Sequence, residues 1–280
     1  MKIAYASDVH VEFGPIEIYN TEKADVLVLA GDIILASWLY DKSERHFLDD
    51  REFQCGLSDR FHAFFQQICE DFPHVIYILG NHESYNDDIA NTYTYIKEKL
   101  SYLKNLHVLE KETFQLEDVT FICGTMWTDF NKGEEYAMRM IERRMNDFQI
   151  IKNSNRESEN EWTSIWSADD AYKDHQKFME FARKELSKEE NRKVVMVTHH
   201  CPSSICIPEK YQGDTIMNPG YVSNLTDFIL DNPKITHWIC GHSHRRLDAM
   251  IGSTNIVMNC RGYYPREEMS QTFELKYIDI

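Results

Sequence analysis

The sequence is poor in positive charge. Lysine and arginine number 30 against 46 aspartate and glutamate residues, and the formal net charge is −16. Non-specific binding of nucleic acid rests on cations that neutralise phosphates, so this balance argues against a protein that grips nucleic acid over a broad surface. A bound metal ion can reverse the charge of an acidic pocket, so a nuclease acting at a small site stays open.

Long apolar runs are also missing. No stretch approaches the roughly 18 apolar residues that a membrane span needs, and the start, MKIAYASDVH, has too short an apolar stretch for a signal peptide. We therefore expect a cytoplasmic protein with no membrane partner. The seven cysteines lack C-x-x-C spacing, which argues against a disulfide framework and a zinc–thiolate site and predicts buried thiols.

What the sequence does contain is a series of short apolar runs separated by amphipathic segments. The runs are typical of buried strands and cover 2–7, 25–30, 74–79, 119–124, 193–198 and 235–240. Apolar residues at three- and four-residue spacing predict helices in 58–70, 86–104, 134–146, 168–189 and 221–231. After residue 245, short alternating pieces predict antiparallel strands at the end of a sheet. The fold class is α/β.

The length and the apolar fraction of 42% favour one domain covering residues 1–280. Two irregular charged stretches, 33–57 and 150–167, interrupt the pattern. They contain Trp38, Trp162 and Trp166, and exposed tryptophan is out of place in a linker. We interpret both stretches as insertions or flaps over the core.

Polar side chains follow five of the predicted strands, directly after each strand ends. They are Asp8, His10, Asp32, Asn81, His82, Glu83, His199, His200, His242 and His244. In open α/β sheets, ligands bind at the carboxyl ends of the strands, so these residues are expected to converge. One histidine after a strand is usually structural, whereas five strand ends with such residues indicate a metal site.

The residue types indicate which metals fit. Carboxylates, imidazoles and an amide suit Mn²⁺, Fe, Zn²⁺ or Ni²⁺ better than an iron–sulfur cluster or a structural zinc ion. The candidate ligands are too many for one tetrahedral ion and suffice for two ions that share a carboxylate. Two such ions clamp the attacking and leaving oxygens of a phosphoryl displacement and lower the pKa of a bound water.

In order, the words are D-x-H, G-D, G-N-H-E, H and G-H-x-H, from Asp8 to His244. This series resembles the calcineurin-like metallophosphoesterase superfamily. The resemblance implies a four-layer α/β/β/α sandwich around two mixed sheets, with a binuclear centre at the strand ends. It further implies that Mn²⁺ is the foremost of the candidate metals.

The resemblance also implies individual roles. Asp8, His10 and His244 would hold one ion, and Asp32 would bridge both. Asn81, His199 and His242 would complete the second site. His82 matches the family's catalytic histidine, which donates a proton to the leaving group without binding metal; that role requires a pKa near the working pH.

Further sequence motifs narrow the resemblance to part of the superfamily. VTHHCPSS is similar to the H-H-x-P form of small bacterial and phage-type members, and GTMWTDF, MNDF and NCRGYY resemble a subgroup of single-domain cytoplasmic members. The arginines that mark the protein Ser/Thr phosphatase branch are absent. Arg261, His200 and Asp129 are candidate substrate contacts, although the histidine doublet leaves open which ring faces the metal.

Several residues have two interpretations. Asp129 and Asp147 are either caps or groups near the substrate and ligands. Glu83 is either an anchor near the site or, as we prefer, a charge at a helix N-terminus. His175 is expected on the surface. The remaining expectations are that His237 packs on a sheet face and that Arg245 and Arg246 are solvated.

The favoured function is metal-dependent hydrolysis of a small phosphate ester by a metal-bound hydroxide, with His82 as the general acid. A phosphodiesterase and a nucleotide or other monoester phosphatase use the same ligands and stay open. The alternatives are a DNA or RNA nuclease of the same superfamily and, in a different class, a catalytically silent scaffold that binds a partner protein. The intact set of candidate ligands and His82 disfavours the scaffold, and the oligomeric state is not predicted.

Overall fold

The structure is a computed structural model that describes residues 1–40, 52–156 and 164–280. Within these ranges the chain forms strands β1 Lys2–Ala6, β2 Val26–Ala30, β3 His74–Ile78, β4 Leu106–Leu109, β5 Glu112–Leu116, β6 Val119–Gly124, β7 Lys193–Thr198, β8 Ile235–Cys240, β9 Arg246–Ile251, β10 Thr254–Asn259 and β11 Lys276–Asp279. The helices are α1 Glu52–Asp71, α2 Ile89–Lys99, α3 Phe130–Gly133, α4 Glu135–Glu142, α5 Asp147–Ile150, α6 Ala168–Ser187 and α7 Thr226–Asp231.

The strands form two mixed sheets. The first has the order β11-β1-β2-β3-β4 and the second β5-β6-β7-β8-β10-β9. The four strands β1 to β4 are parallel, and so are β6, β7, β8 and β10, while each sheet has antiparallel strands only at its edges. Parallel central strands are buried on both faces, which explains their continuous apolar runs.

The two sheets pack face to face across a shared apolar core. Val28 and Ile76 of the first sheet and Phe121, Val195 and Ile239 of the second belong to this core. Helices α1 and α2 cover the outer face of the first sheet, and α6 and α7 cover that of the second. The expected four-layer α/β/β/α sandwich is thereby confirmed.

The predicted elements match the structure closely. The short elements β4, β5, α3 and α5 were missed, and several helix boundaries differ. Helix α2 begins at Ile89 because the side chain of Asp88 accepts the backbone N–H of Ala90 and caps it. Helix α7 begins only at Thr226, because Cys201 and Val222 form a β-bridge and 218–220 form a 3₁₀ turn.

The C-terminal strands fulfil the expectation in part. Strands β9 and β10 are antiparallel at the edge of the second sheet, but β10 also pairs in parallel with β8. Strand β11 crosses to the first sheet and pairs antiparallel with β1.

Only parts of the two expected insertions are described. Residues 41–51 and 157–163, including Trp162, lie outside the described ranges. Trp166 is buried, and its ring centroid lies 5.4 Å from that of Trp127 in a cluster formed with α4 and α5. Among the described helices, none has the length and apolar character that crossing a membrane requires.

Candidate metal centre

The loops after β1 and β8 bring three candidate ligands together. The Nε2 atoms of His10 and His244 lie 3.3 Å apart, and His244 Nε2 is 3.5 Å from Asp8 Oδ1. Asp8 and His10 are fully buried, and one side-chain atom of each of the three residues falls within 4.8 Å of the others. The arrangement matches a site for one cation.

A second cluster lies beside the first, at the ends of β2, β3, β7 and β8. His199 Nε2 is 3.0 Å from Asn81 Oδ1 and 3.3 Å from Asp32 Oδ1. His242 also contributes a ligand-type atom within 4.8 Å of those of Asp32 and His199. The other carboxylate oxygen of Asp32, Oδ2, is 3.9 Å from His10 Nε2 in the first cluster.

The imidazole rings are held by acceptors behind them. His10 Nδ1 lies 3.0 Å from Glu12 Oε1, His199 Nδ1 lies 2.9 Å from the Ala30 carbonyl oxygen, and His244 Nδ1 lies 2.6 Å from Glu267 Oε2. An acceptor at Nδ1 selects the tautomer whose Nε2 lone pair faces the centre, as is usual for histidines that bind metal.

His242 provides a direct test of whether the site fits a cation. Its backbone N–H donates to the carboxylate of Asp8 at 3.0 Å, while its buried Nε2 has no hydrogen-bond partner. A buried polar atom without a partner is costly and therefore rare. A cation bound between His242, His199 and Asp32 would satisfy this nitrogen, so the residues fit a metal ion.

The backbone at these positions is strained. Asp8, His10, Asp32, His242 and His244 all have positive φ angles, between 45° and 69°. Residues other than glycine rarely adopt this left-handed conformation, and when they do so at a cluster it usually marks a functional site.

Asn81 is oriented by a buried carboxylate. Its amide Nδ2 donates to Asp147 Oδ1 at 2.6 Å and to the Tyr85 hydroxyl at 3.1 Å, and Tyr85 in turn donates to Asp147. The amide oxygen is therefore directed at His199. Of the two interpretations of Asp147, the structure favours the group that orients a ligand.

Glu83 was assigned wrongly to a helix N-terminus. It is fully buried and accepts the backbone N–H groups of Asp32, Ile33 and Gly80 and the hydroxyl of Tyr77, at 2.7 to 3.1 Å. One carboxylate thus ties the loop after β2 to the loop after β3, and the anchor is the correct interpretation.

Buried carboxylates make the centre attractive to cations. Burial would lower the pKa of His199, but the charge of Asp32 and a hydrogen bond to it raise that pKa to about 10. Burial would likewise raise the pKa of Asp32, yet His199 and His82 hold it well below its ordinary value. By contrast, burial and the neighbouring histidines lower the pKa of His242 well below its ordinary value, which keeps its ring neutral and able to act as a ligand.

His82 lies next to both clusters. Its Nε2 is 3.3 Å from the Tyr263 hydroxyl and 4.0 Å from Asp32 Oδ2, its Nδ1 is 3.6 Å from Glu12 Oε1, and its ring stacks on Tyr85 at 4.1 Å. Burial lowers the pKa of His82, but the charge of Asp32 and the hydrogen bond to Glu12 outweigh this effect and raise it to about 9. The direction of this shift favours a protonated ring.

A family model of the calcineurin-like phosphoesterases matches residues 1–246, which include every candidate ligand. The chain belongs to this family. It is a metal-dependent hydrolase of phosphate esters, which confirms the resemblance inferred from the strand-end words.

The chain is also similar to other proteins in sequence and in structure. An uncharacterized protein of Acanthamoeba polyphaga mimivirus is 27% identical over 232 residues, which are 78% of this chain and 77% of that protein. The crystal structure of phosphopantetheinyl hydrolase from Mycobacterium tuberculosis superimposes with a TM-score of 0.68 at 14% identity, covering 99% of this phosphoesterase and 95% of that chain. At that identity the likeness shows the shared fold.

The structure gives two of the predicted substrate contacts other roles. The guanidinium of the buried Arg261 donates to the carbonyl oxygens of Val9, Gly14 and Pro15, so it holds the loop after β1 instead of facing a substrate. Asp129 accepts the backbone N–H of Asn131 and caps α3.

The third predicted contact, His200, lies deeper than a substrate contact would. Its fully buried ring lies 4.2 Å from that of His242 and 5.0 Å from that of Trp127. It therefore packs behind a candidate ligand, and His199 is the member of the doublet that faces the centre.

Two weaker expectations also need correction, and a third is met. His175 is buried in α6, with its Nδ1 3.0 Å from the carbonyl oxygen of Met126. Arg245 and Arg246 are partly buried and donate to backbone carbonyl oxygens, Arg245 to Ile207 at 2.8 Å. His237 is half-buried on its sheet, as expected.

Sequence reasoning missed four residues around the centre. They are Glu12 and Glu267, behind His10 and His244, Tyr263, beside His82, and the exposed Arg144, which lines the cleft next to Asp147. Tyr263 belongs to the NCRGYY word, which was a usable signal. No local pattern marks the other three.

Buried thiols, as predicted from the cysteine spacing, lie below the centre. Cys201, Cys206 and Cys240 are buried with sulfur atoms within 4.8 Å of one another, although no C-x-x-C is present. Cys201 Sγ donates to the Gly241 carbonyl oxygen at 3.1 Å, and the sulfur atoms of Cys206 and Cys240 are 4.0 Å apart. These thiols pack beneath the turn that carries His242.

Proposed function

We propose that this phosphoesterase binds two divalent metal ions and hydrolyses small phosphate esters. Mn²⁺ is the foremost candidate, with Fe, Zn²⁺ and Ni²⁺ as alternatives. One ion would lie among Asp8, His10 and His244. The other would lie among Asn81, His199 and His242, and Asp32 would contact both.

The position of the Asp32 carboxylate carries this proposal. One oxygen is 3.3 Å from His199 Nε2, and the other is 3.9 Å from His10 Nε2. A carboxylate whose two oxygens face two ligand clusters is suited to bridging a pair of ions. One ion would leave either the His10–His244 pair or the unpartnered Nε2 of His242 without a counterpart.

When bound, such ions supply Lewis acidity and a water of lowered pKa. The chain itself supplies the proton for the leaving group. His82 Nε2 faces the centre, and Glu12 lies behind its Nδ1. Protonated His82 would therefore donate a proton from Nε2 to the departing oxygen, while Tyr263 and the stacked Tyr85 fix the plane of the ring.

The cleft favours a small substrate over a nucleic acid strand. Among the described residues that line the pocket around Asp32 and His82, Arg144 is the only arginine or lysine. A strand of nucleic acid needs several phosphate contacts along its path. A single exposed guanidinium beside the centre instead suits a substrate with one phosphate group.

The test is purification, metal analysis, and assays in Mn²⁺ with p-nitrophenyl phosphate and bis(p-nitrophenyl) phosphate. With an ester of a weakly acidic alcohol, such as glycerol 2-phosphate, His82→Asn should lower kcat by about 10²- to 10⁴-fold, as expected for loss of a general acid, with the metal content unchanged. The nitrophenyl esters should be affected less, because p-nitrophenolate departs without a proton. Asp32→Asn should lower both activity and the number of bound ions. His237→Asn and Asp227→Asn, outside the centre, are the matched controls.

If neither the monoester nor the diester is hydrolysed, the enzymatic proposal is refuted and the silent scaffold is favoured. One ion per chain at saturating Mn²⁺ would refute the binuclear assignment. A His82→Asn variant as active as the parent would refute the role of His82.

A further inference from the structure

The cleft has a second arm that the catalytic residues do not use. It has a volume of about 370 Å³ and extends from His242 and His244 along the segment 207–221, whereas the arm around Asp32, Asn81 and His82 measures about 190 Å³. The two arms share Met217, Tyr221, Tyr263 and the two histidines. An organic group attached to a phosphate at the centre could therefore extend into the larger arm.

The walls of this arm are aromatic. Tyr211, Tyr221 and Tyr263 line it, together with Ile207, Pro208 and Met217. The ring of Tyr221 lies 4.9 Å from that of His242, and the ring of Tyr263 lies 4.5 Å from that of His244. Tyr211 is farther out and 53% exposed.

The loop that carries Tyr211 is held in shape by its own side chains. Asp214 Oδ1 accepts the backbone N–H groups of Ile216 and Met217 at 3.2 and 2.9 Å, and Asn218 Nδ2 donates to the Tyr211 carbonyl oxygen at 2.9 Å. The Lys210 ammonium lies 4.6 Å from the centroid of the Tyr211 ring. The exposed ring is thus placed beside the arm before any ligand binds.

The charge of the arm limits what it can hold. Of the described residues that line it, none is a lysine or arginine, and two, Asp214 and Glu267, are acidic. A second phosphate or another anion would be repelled. A planar, uncharged group that stacks on tyrosine rings fits both the charge and the walls.

We propose that this arm is a nucleoside subsite, in which Tyr211 and Tyr221 stack on the base of a nucleotide ester whose phosphate lies at the centre. The proposal rests on the proposed phosphoesterase function and names its substrate class. Tyr211 is then the main specificity-determining residue, because its ring is the most exposed of the three and contacts no candidate ligand.

Two diesters that differ only in the retained group test this proposal. Thymidine 5′-(p-nitrophenyl phosphate) and methyl p-nitrophenyl phosphate release the same leaving group. Tyr211→Ala should raise KM about tenfold for the thymidine ester, in the range of one lost base–aromatic stack, and leave the methyl ester unchanged. Tyr211→Phe should behave as the parent for both. Tyr136→Ala, which removes an equally exposed ring on α4, is the control.

A binding measurement separates the subsite from catalysis. Saturation-transfer NMR with thymidine, in Mg²⁺ and without any phosphate ester, should show contact to the base protons, weakened about tenfold by Tyr211→Ala and retained by Tyr211→Phe and Tyr136→Ala. Thymidine binding without hydrolysis of these diesters or of p-nitrophenyl phosphate would support the subsite and refute the proposed function. Equal KM for both diesters, or equal losses in Tyr211→Ala and Tyr136→Ala, would overturn the subsite.

Discussion

Replacement of Glu83 by glutamine is a sharp test of how the centre is assembled. In the structure each carboxylate oxygen accepts two hydrogen bonds, Oε1 from Ile33 and Tyr77 and Oε2 from Asp32 and Gly80. Glutamine has nearly the same shape. However, one of its two terminal atoms is an NH₂ group, and in this position it would face two donors.

The expected loss of folding stability follows from the number of hydrogen bonds that are lost. Burial and the charge of Asp32 raise the pKa of Glu83 to about 7, so unfolding is compared well above that pH, where the carboxylate is charged. Two hydrogen bonds to a charged acceptor are then lost, each contributing roughly 1.5–3 kcal/mol, and relaxation recovers part of the loss. We expect Glu83→Gln to lower the free energy of unfolding by about 3 kcal/mol, or Tm by about 5 °C for a chain of this size. If Glu83 instead acted only as a charge at a helix N-terminus, the loss would be about 0.3–1 kcal/mol.

The assay is thermal unfolding followed by circular dichroism, in the presence of a chelator so that metal binding does not add to the stability. Glu180→Gln, at an exposed position on α6, is the matched control and should change Tm by less than about 2 °C. A Glu83→Gln variant whose Tm is within that same range of the parent would refute the anchor.

Three further predictions follow from single contacts. Asp147→Ala frees the amide of Asn81, so we expect metal affinity to fall by about 10- to 100-fold in a titration of activity with Mn²⁺. Gly31→Ala should lower both Tm and metal content, because φ is +83° and the new Cβ would lie 2.5 Å from the imidazole of His199. The control is Gly56→Ala in α1, where the space is open; it should stabilise the chain by about 0.5–1 kcal/mol. Arg261→Gln should lower Tm by several degrees without changing KM, because Arg261 donates to backbone carbonyl oxygens. A raised KM would show that Arg261 contacts the substrate after all.

The fold could be predicted largely because its central strands are parallel and buried on both faces. Such strands appear as short apolar runs, and the six predicted runs coincide with β1, β2, β3, β6, β7 and β8. The missed strand β5, ETFQL, alternates between exposed and partly buried residues at a sheet edge, and its charged and polar positions hide it. The other missed strand, β4, is at the edge of the first sheet and is only four residues long.

Within the candidate centre, only the residues that closely follow a strand could be predicted from the sequence. Asp8 and His242 could be identified because each closely follows a buried strand, which fixes where its loop must go. Glu267 contacts His244 from a loop 23 residues away, and Asp147 contacts Asn81 across 66 residues. No periodicity links such pairs, so they emerge only once the tertiary structure is known.

The left-handed backbone at the candidate ligands could not have been predicted either, since none of them is glycine. Five such residues, at about 1 kcal/mol each, amount to a strain comparable with the lower end of the net stability of a domain. The surrounding hydrogen bonds offset it: Asp8 N–H donates to the Gly31 carbonyl oxygen and His10 N–H to that of Asp32, so the pairing of β1 with β2 continues into the loops. Glycine would relieve the strain but would remove the ligand. Residues with metal-binding side chains therefore occupy backbone conformations that glycine would adopt with less strain. Hydrogen bonds formed on folding offset this strain before any ion binds.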